Sequence, residues 1–286
     1  MTAAARNWGA LLAAGRARLE AAGIAEAENK LRWVAAHLLE CKLLDVLRHL
    51  SETPGPELLR RFDSAVIRLE RDEPVQYVIG ETDFMGLKIR CDARALIPRP
   101  ETELLAGCAE EFLRGRKAPV VVDVCTGTGC IACALARRVP GARIRAIDIS
   151  PAALELAREN ARRLGAAVEF IQNDLLAGLA DASVDLVVSN PPYVASAACD
   201  RLPRTVREFE PRLALDGGTD GLRLISRLVT EADRVLTSEG RLMLEIGDDQ
   251  AGAVAEILCQ TNRFNLSLRS DYAGQLRVAI VSRKSR

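Results

Sequence analysis

No run of 18 apolar residues occurs anywhere in this 286-residue chain, so the sequence offers no segment built to span a bilayer as a helix. Net charge is missing too. The 39 basic residues are matched by 39 acidic ones, which argues against a protein whose affinity rests on neutralising phosphates. The same balance argues against a basic membrane-surface module. Only five of the basic residues are lysine, at positions 30, 42, 88, 117 and 284, a compositional bias with no binding pattern. The two histidines, His37 and His49, sit in no metal-binding motif. Residues 1–19 are rich in alanine and arginine and poor in acids, as transit peptides are, but they lack serine and run into amphipathic helix. They are therefore expected to be folded, in a monomeric cytoplasmic protein.

Cysteine is not scarce: eight occur, at 41, 91, 108, 125, 130, 133, 199 and 259. Cys125-x4-Cys130-x2-Cys133 has the spacing of a plant-type iron–sulfur segment, with Cys199 or Cys259 as a distant fourth ligand. Their setting favours plain thiols. Cys125 closes a strand-like run, Cys130 and Cys133 open a helix-like one, and buried cysteine packs as a small hydrophobe. No metal is expected.

From the start to about residue 73 the pattern is helical. Leu31, Val34 and Leu38, then Leu58, Phe62, Val66 and Leu69, repeat at helical spacing, predicting a bundle of three to five helices with a docking role. After Pro74 the segments 75–80 and 84–90 read as a β-hairpin turning at residues 80–83, part of a linker over 74–100. Residues 101–286 then alternate strand and helix. Val120–Val124, Arg143–Asp148, Val168–Ile171 and Asp185–Val188 are strands with helices between them. Such alternation predicts an α/β fold with a doubly wound, mostly parallel sheet. Regularity resumes with a helix over 222–236, a strand over 241–246, a helix over 251–258, and a final strand pair. Residues 191–219 show little regular pattern, and a loop that long inside a compact domain is commonly functional.

Four of the strand ends carry polar groups, and ligands of open α/β sheets bind beyond those ends. Asp123 precedes the turn Cys125-Thr126-Gly127-Thr128-Gly129, Asp148 ends the next strand, Asn173-Asp174 the third, and Asn190 the fourth. Glycines at 127 and 129 allow close backbone approach. Asp148 is placed to accept from two ribose hydroxyls, and Asp174 from an adenine amino group. The same turn satisfies a dinucleotide fingerprint, Gly127-x-Gly129-x-x-Ala132. However, Asp123 would repel a pyrophosphate and attract the sulfonium and α-amino group of S-adenosyl-L-methionine. The sulfonium cofactor is the better match.

The turn Asn190-Pro191-Pro192-Tyr193 is the sharpest signal. Each proline has a fixed φ and no N–H, and each forces extended geometry on the residue before it. The result is a stiff turn presenting carbonyls, one side-chain amide and an aromatic ring, suited to a planar amino or amide group. Asn190-Pro191-Pro192-Tyr193 resembles the signature of the protein-(glutamine-N5) methyltransferases of peptide-chain release factors, the PrmC/HemK family. The likeness extends to Pro74-Val75-Gln76-Tyr77, to the run from Leu96 to Glu103, to the Asp123–Gly129 segment, and to Phe209-Glu210-Pro211 before Gly217-Gly218.

The resemblance implies a class I methyltransferase fold. It also implies transfer of a methyl group from S-adenosyl-L-methionine, leaving S-adenosyl-L-homocysteine, to a release-factor glutamine. Asp123, Cys125, Thr126, Gly127, Thr128, Gly129, Asp148, Asp174, Leu175 and Asn190 would border the cofactor. Asn190, Pro191, Pro192 and Tyr193 would hold the glutamine, with Asn190, Pro191 and Tyr193 closest to the chemistry. Two positions depart from the family pattern: Cys125 stands where glycine is usual, and Leu175 where some members carry an aromatic. A nucleic-acid amino methyltransferase shares the Pro-Pro-Tyr logic but would show a basic face or a recognition domain. Neither nucleic acid nor a membrane is an expected partner.

Overall fold

In a computed structural model that describes residues 7–284, the chain divides into two compact units. One comprises residues 1–81 with 203–209, and the other residues 82–202 with 210–286. The expectation of order from the first residue falls partly on residues 1–6, outside the described residues. No described helix is long and apolar enough to cross a membrane.

The first unit is helical. Helix α1 (Trp8–Ala21) is capped by Asn7, whose side chain accepts from the Ala10 N–H at 2.9 Å, which satisfies one of the free donors of the first turn. Helix α2 (Ala27–Leu38), a 3₁₀ turn over Leu43–His49, α3 (Pro56–Glu70) and α4 (Val75–Ile79) follow. Their apolar stripes meet in one core, where the Trp8 and Phe62 rings pack edge to face at 5.6 Å. The short helix α9 (Arg204–Arg207) belongs to this unit as well.

Helix α4 corrects the sequence reading, which made residues 75–80 a strand. Gly80 ends that turn in the left-handed region at φ 87°, its N–H bonded to the Gln76 carbonyl at 2.8 Å. Six apolar-rich residues carry too little periodicity to separate a helical turn from a strand. The hairpin instead pairs β1 (Glu81–Phe84) with β2 (Leu87–Arg90). Met85 and Gly86 form the turn with φ of 50° and 78°, the doubly positive geometry that two-residue hairpins prefer.

The second unit contains a seven-stranded sheet in the order β5-β4-β3-β6-β7-β9-β8. Its strands are β3 (Val120–Val124), β4 (Arg143–Asp148), β5 (Val168–Gln172), β6 (Val184–Ser189), β7 (Leu236–Glu245), β8 (Phe264–Ser270) and β9 (Leu276–Arg283). The pairings from β5 through β7 are parallel, and β9 and β8 close the edge antiparallel. Helices α5 (Pro100–Leu113), α6 (Cys130–Arg138), α7 (Pro151–Leu164), α10 (Arg223–Val235) and α11 (Ala251–Thr261) accompany it. Burial of both faces explains why Val121, Val122, Leu186, Val187 and Val188 are all fully inaccessible. Strand β7 begins at Leu236, five residues before the expected 241, and the loop over 191–219 carries the short turns α8 (Ser196–Cys199), α9 and a 3₁₀ turn at Arg212–Ala214.

Strand order reverses at β3: β4 and β5 extend to one side and β6 and β7 to the other. The crevice at such a switch point is where these sheets bind ligands. It lies between the ends of β3 and β6, where Cys125 and Asn190 leave the sheet.

Candidate active site

A cavity of about 330 Å³ opens at that crevice. The strand ends supply Val124, Ile147 and Asp148, and the glycine turn supplies Cys125, Thr126, Gly127 and Thr128. Asn173, Asp174, Leu175, Asn190 and Pro192 complete the expected part of the wall. Residues 94–98, Thr102, Pro211, Leu213 and Arg227 also border it. Asp123, Gly129, Pro191 and Tyr193 are not on the wall.

The glycine turn owes its shape to a few bonds. Thr126 N–H binds the Ile147 carbonyl at 3.0 Å, Gly129 N–H binds the Thr126 carbonyl at 2.8 Å, and Gly127 N–H donates to Asp148 Oδ2 at 2.9 Å. Gly127 and Gly129 both lie in the left-handed region, at φ 55° and 77°. Their uses differ. A Cβ on Gly129 would sit 3.0 Å from the Ala157 side chain, so that glycine serves the packing of α7, whereas Gly127 has no atom nearer than 3.8 Å. Cys125 occupies φ 58° and Leu175 φ 51°, a region costing an L side chain roughly 1–2 kcal/mol. Asn160, fully buried, holds the turn from below: its side chain bonds the Thr128 carbonyl at 2.9 Å and the Arg90 N–H at 2.8 Å.

Asp123 lies beneath the turn, not beside the cavity. Its Oδ2 accepts from the Thr126 hydroxyl at 2.6 Å and the Ala132 N–H at 3.1 Å, while Oδ1 is buried without a partner. Burial pushes this carboxyl up to about 7 against those two donors. Asp148 is better placed for a ligand. Its oxygens accept from the Gly127 and Ser150 N–H groups at 2.9 Å, with the Ile149 N–H contributing as well, and two carboxylate oxygens have about four lone-pair sites in all. Burial raises its pKa, and the backbone donors oppose that rise. Asp174, at the rim, is held in a two-pronged ion pair by Arg227 at 3.0–3.1 Å.

Beyond Asn190 lies a buried polar chain that the sequence did not reveal. Asn190 Nδ2 donates to Thr102 Oγ1 at 3.1 Å, and the Thr102 hydroxyl donates to Glu245 Oε2 at 2.6 Å. The Tyr193 hydroxyl donates to the other oxygen of Glu245 at 3.2 Å. Gln250 Nε2 fastens the Tyr193 carbonyl at 2.9 Å. Glu210, also buried, accepts from the Ile97 N–H at 3.0 Å and pairs with Arg99, tying the 96–100 segment to the loop that follows β6. Glu245 ends a strand, as Asp148 does; that shared signal could have marked it. Nothing in the sequence brings it to Thr102, 143 residues away.

The loop after Asn190 is closed at its neck. Val194 N–H binds the Leu215 carbonyl at 2.9 Å, Gly217 N–H the Val194 carbonyl at 2.8 Å, and Ser196 N–H the Gly218 carbonyl at 2.8 Å. Two glycines allow the backbones to touch: a Cβ would lie 2.6 Å from the Pro192 carbonyl at Gly217 and 2.2 Å from the Tyr193 carbonyl at Gly221.

Of the eight cysteines, Cys125 and Cys130 border the cavity. All eight are free thiols, burial pushes Cys133 up to about 12, and it lifts Cys130 well above the ordinary thiol. Among the described residues no group of three or more histidine, cysteine or acidic side chains is arranged to hold a metal ion.

Comparison with known proteins gives this geometry its context. Residues 10–80 match the family model described as PrmC N-terminal domain, and residues 101–219 the one described as Methyltransferase small domain. The release factor glutamine methyltransferase of Moorella thermoacetica is 41% identical over 274 residues, spanning 93% of this chain and 95% of that protein. The chain belongs to the release factor glutamine methyltransferase family. A ribosomal protein uL3 glutamine methyltransferase from Xanthomonas campestris is 39% identical over 214 residues, with 71% of this chain and 69% of that protein covered. A solved methyltransferase from Pyrococcus furiosus superposes with a TM-score of 0.53 at 19% identity, over 71% of this chain and 91% of that one, and shows the common fold.

Membership in this family and fold implies S-adenosyl-L-methionine as methyl donor. The cavity fits such a group. Asp148 offers carboxylate lone pairs suited to ligand hydroxyls, and Ile147, Ile149 and Leu175 give apolar wall.

Proposed function

We propose that the enzyme transfers the methyl group of S-adenosyl-L-methionine to the side-chain amide nitrogen of a glutamine in a peptide-chain release factor. The observation that carries this reading is the orientation of Asn190 at the cavity wall. Its Nδ2 is committed to Thr102, which leaves Oδ1 as the acceptor for a substrate N–H. A primary amide brings two N–H groups, and in this reading the Pro191 carbonyl accepts the second. Tyr193 stands behind the cavity wall, and its hydroxyl, anchored on Glu245 at 3.2 Å, steadies the turn that carries Asn190. A release-factor substrate puts the enzyme in the cytoplasm.

When bound, the cofactor supplies an activated methyl on a sulfonium. An amide nitrogen is a weak nucleophile because its lone pair is delocalised into the carbonyl. The residues of this chain therefore act by placement, holding the nitrogen about 3–3.5 Å from the methyl and in line with it. Asp148 and the glycine turn fix the donor side, Asn190 and the Pro-Pro backbone fix the acceptor side, and apolar wall excludes water. No strong base is required; the surplus proton leaves once the nitrogen has become positive.

The N-terminal unit carries no comparable chemistry, and we assign residues 1–73 to docking of the protein substrate. Removing them is expected to leave cofactor binding within a few fold while sharply lowering kcat/KM on the release factor.

The test is transfer of labelled methyl to purified release factor, to ribosomal protein uL3 and to adenine-containing nucleic acid. Labelling of a release-factor glutamine is expected, and Asn190→Ala should reduce it roughly 10²-fold, the scale for losing a positioning group, with cofactor affinity retained. Robust labelling of nucleic acid alone, or of uL3 alone, would overturn the assignment.

A further inference from the structure

The turn that holds the substrate amide has a concealed support. Glu245 closes strand β7 with 1% of its surface accessible, and Thr102, in the first turn of α5, has 2%. Both polar side chains of the Asn-Pro-Pro-Tyr turn lead to this one carboxylate: Tyr193 directly, and Asn190 through Thr102.

The direction of each bond in this chain is dictated from its buried end. An ionised carboxylate can only accept, so the Thr102 proton must point to Glu245. The threonine oxygen then faces Asn190 with a lone pair, and Asn190 must answer with its NH2 group. An asparagine amide is nearly symmetric in shape, so shape alone would hold either orientation; the hydrogen-bond chain decides between them. With Nδ2 turned inward, Oδ1 is the atom left for the substrate.

We propose that Glu245 is a positioning residue which, acting through Thr102, locks the Asn190 amide with its oxygen toward the substrate, making the site a receptor for amide N–H groups. The proposal rests on the glutamine-methylating reading above and adds the source of its polarity. Loss of the acceptor-only end would free the chain to reverse. A glutamine at 245 could donate to Thr102, whose proton could then turn to Asn190 Oδ1, and Asn190 would meet the substrate NH2 with its own NH2. Protonation of Glu245 would permit the same reversal. Besides Thr102 and Tyr193, the groups acting on this carboxylate are Glu101 on α5 and Arg277 on β9, the latter paired with Asp271 at 3.1 Å. Burial raises its pKa and the two hydroxyl donors oppose the rise, so acid should favour the reversed state.

The decisive comparison is Thr102→Val against Thr102→Ser, with Glu245→Gln beside them, all in the full-length protein. Valine keeps the shape and removes the relay, whereas serine keeps the relay. Thr102→Val and Glu245→Gln should lower kcat on release factor at least tenfold, with S-adenosylhomocysteine affinity by calorimetry within twofold of wild type. Thr102→Ser should restore most of kcat, and the acid side of the wild-type rate profile should flatten in Thr102→Val. A second readout needs no substrate. The Asn190 side-chain NH2 signals in ¹⁵N spectra, identified by their loss in Asn190→Ala, should shift in Thr102→Val and stay in place in Thr102→Ser. Unchanged NH2 signals in a folded Thr102→Val protein, or serine as impaired as valine, would overturn the proposal. A wild type that methylates no release factor would sink the functional reading, while the NH2 signals would still decide which way Asn190 is turned.

Discussion

Asp123 should make the catalytic unit lose stability as pH rises through the neutral range, against the usual behaviour of a carboxylate. Its folded pKa stands near 7 against an ordinary 3.8, because burial outweighs the two hydrogen bonds that Thr126 and Ala132 donate. Between those values the folded state holds a proton that the unfolded state has lost, so the unfolding free energy falls with increasing pH. Three pKa units at about 1.36 kcal/mol each put the full effect at ~4 kcal/mol, complete above about pH 7. Asp123→Asn removes the titration while preserving shape and the two accepted bonds. Its absolute stability matters less than the difference from wild type. Below about pH 4 that difference should be constant; between about pH 4 and 7 it should move by several kcal/mol in favour of the variant. Both tryptophans, Trp8 and Trp33, belong to the first unit, so their fluorescence does not report directly on the surroundings of Asp123. Urea unfolding followed by far-ultraviolet circular dichroism, with hydrogen exchange at β3 amides, reads the right part of the chain. Parallel stability curves for the two proteins across that range would refute the reasoning.

Three further outcomes follow from the geometry. Asp148→Ala should weaken S-adenosylmethionine binding by about 1.5–3 kcal/mol, the scale for hydrogen bonds to a charged group, and unchanged affinity by calorimetry would remove Asp148 from the site. At position 125 both Gly and Ala discard the thiol but only alanine keeps a Cβ at φ 58°, so the Gly variant should be the more stable by about 1 kcal/mol in chemical denaturation. Gly221→Ala would place a methyl 2.2 Å from the Tyr193 carbonyl; it should displace the turn and cut methyl transfer at least tenfold, and a fully active variant would show that the neck of the loop has slack.

Much of the fold and site is legible in the residues because local rules govern it. Ser150 and Pro151 announce the start of α7, the valine run of β3 announces a strand buried on both faces, and the polar groups at four strand ends mark the crevice. The errors fall where local rules are silent. Residues 75–80 are too few to show a period, and their conformation is set by Gly80 and by the burial of Val75 and Tyr77. Sequence puts Asp123 among the wall residues because it lies one strand end from Asp148; only packing shows that it points below the turn. Gly129 reads in sequence as making room for a ligand, whereas it makes room for Ala157. Glu245 and Thr102 carry no sequence signal of their partnership because its meaning is a pairing across 143 residues, which no spacing encodes.

The closed neck of the loop after Asn190 bears on how such an enzyme can change over time. Three backbone hydrogen bonds and two bare glycine contacts join the beginning of the loop to its end within a few residues of the active turn. Mechanically the loop is a handle whose root is clamped. Residues lengthened, shortened or replaced around 197–209 pull on the clamp before they pull on Asn190. One continuous stretch of chain thus supplies both the turn at 190–193 and the loop beyond it, with the clamp between them.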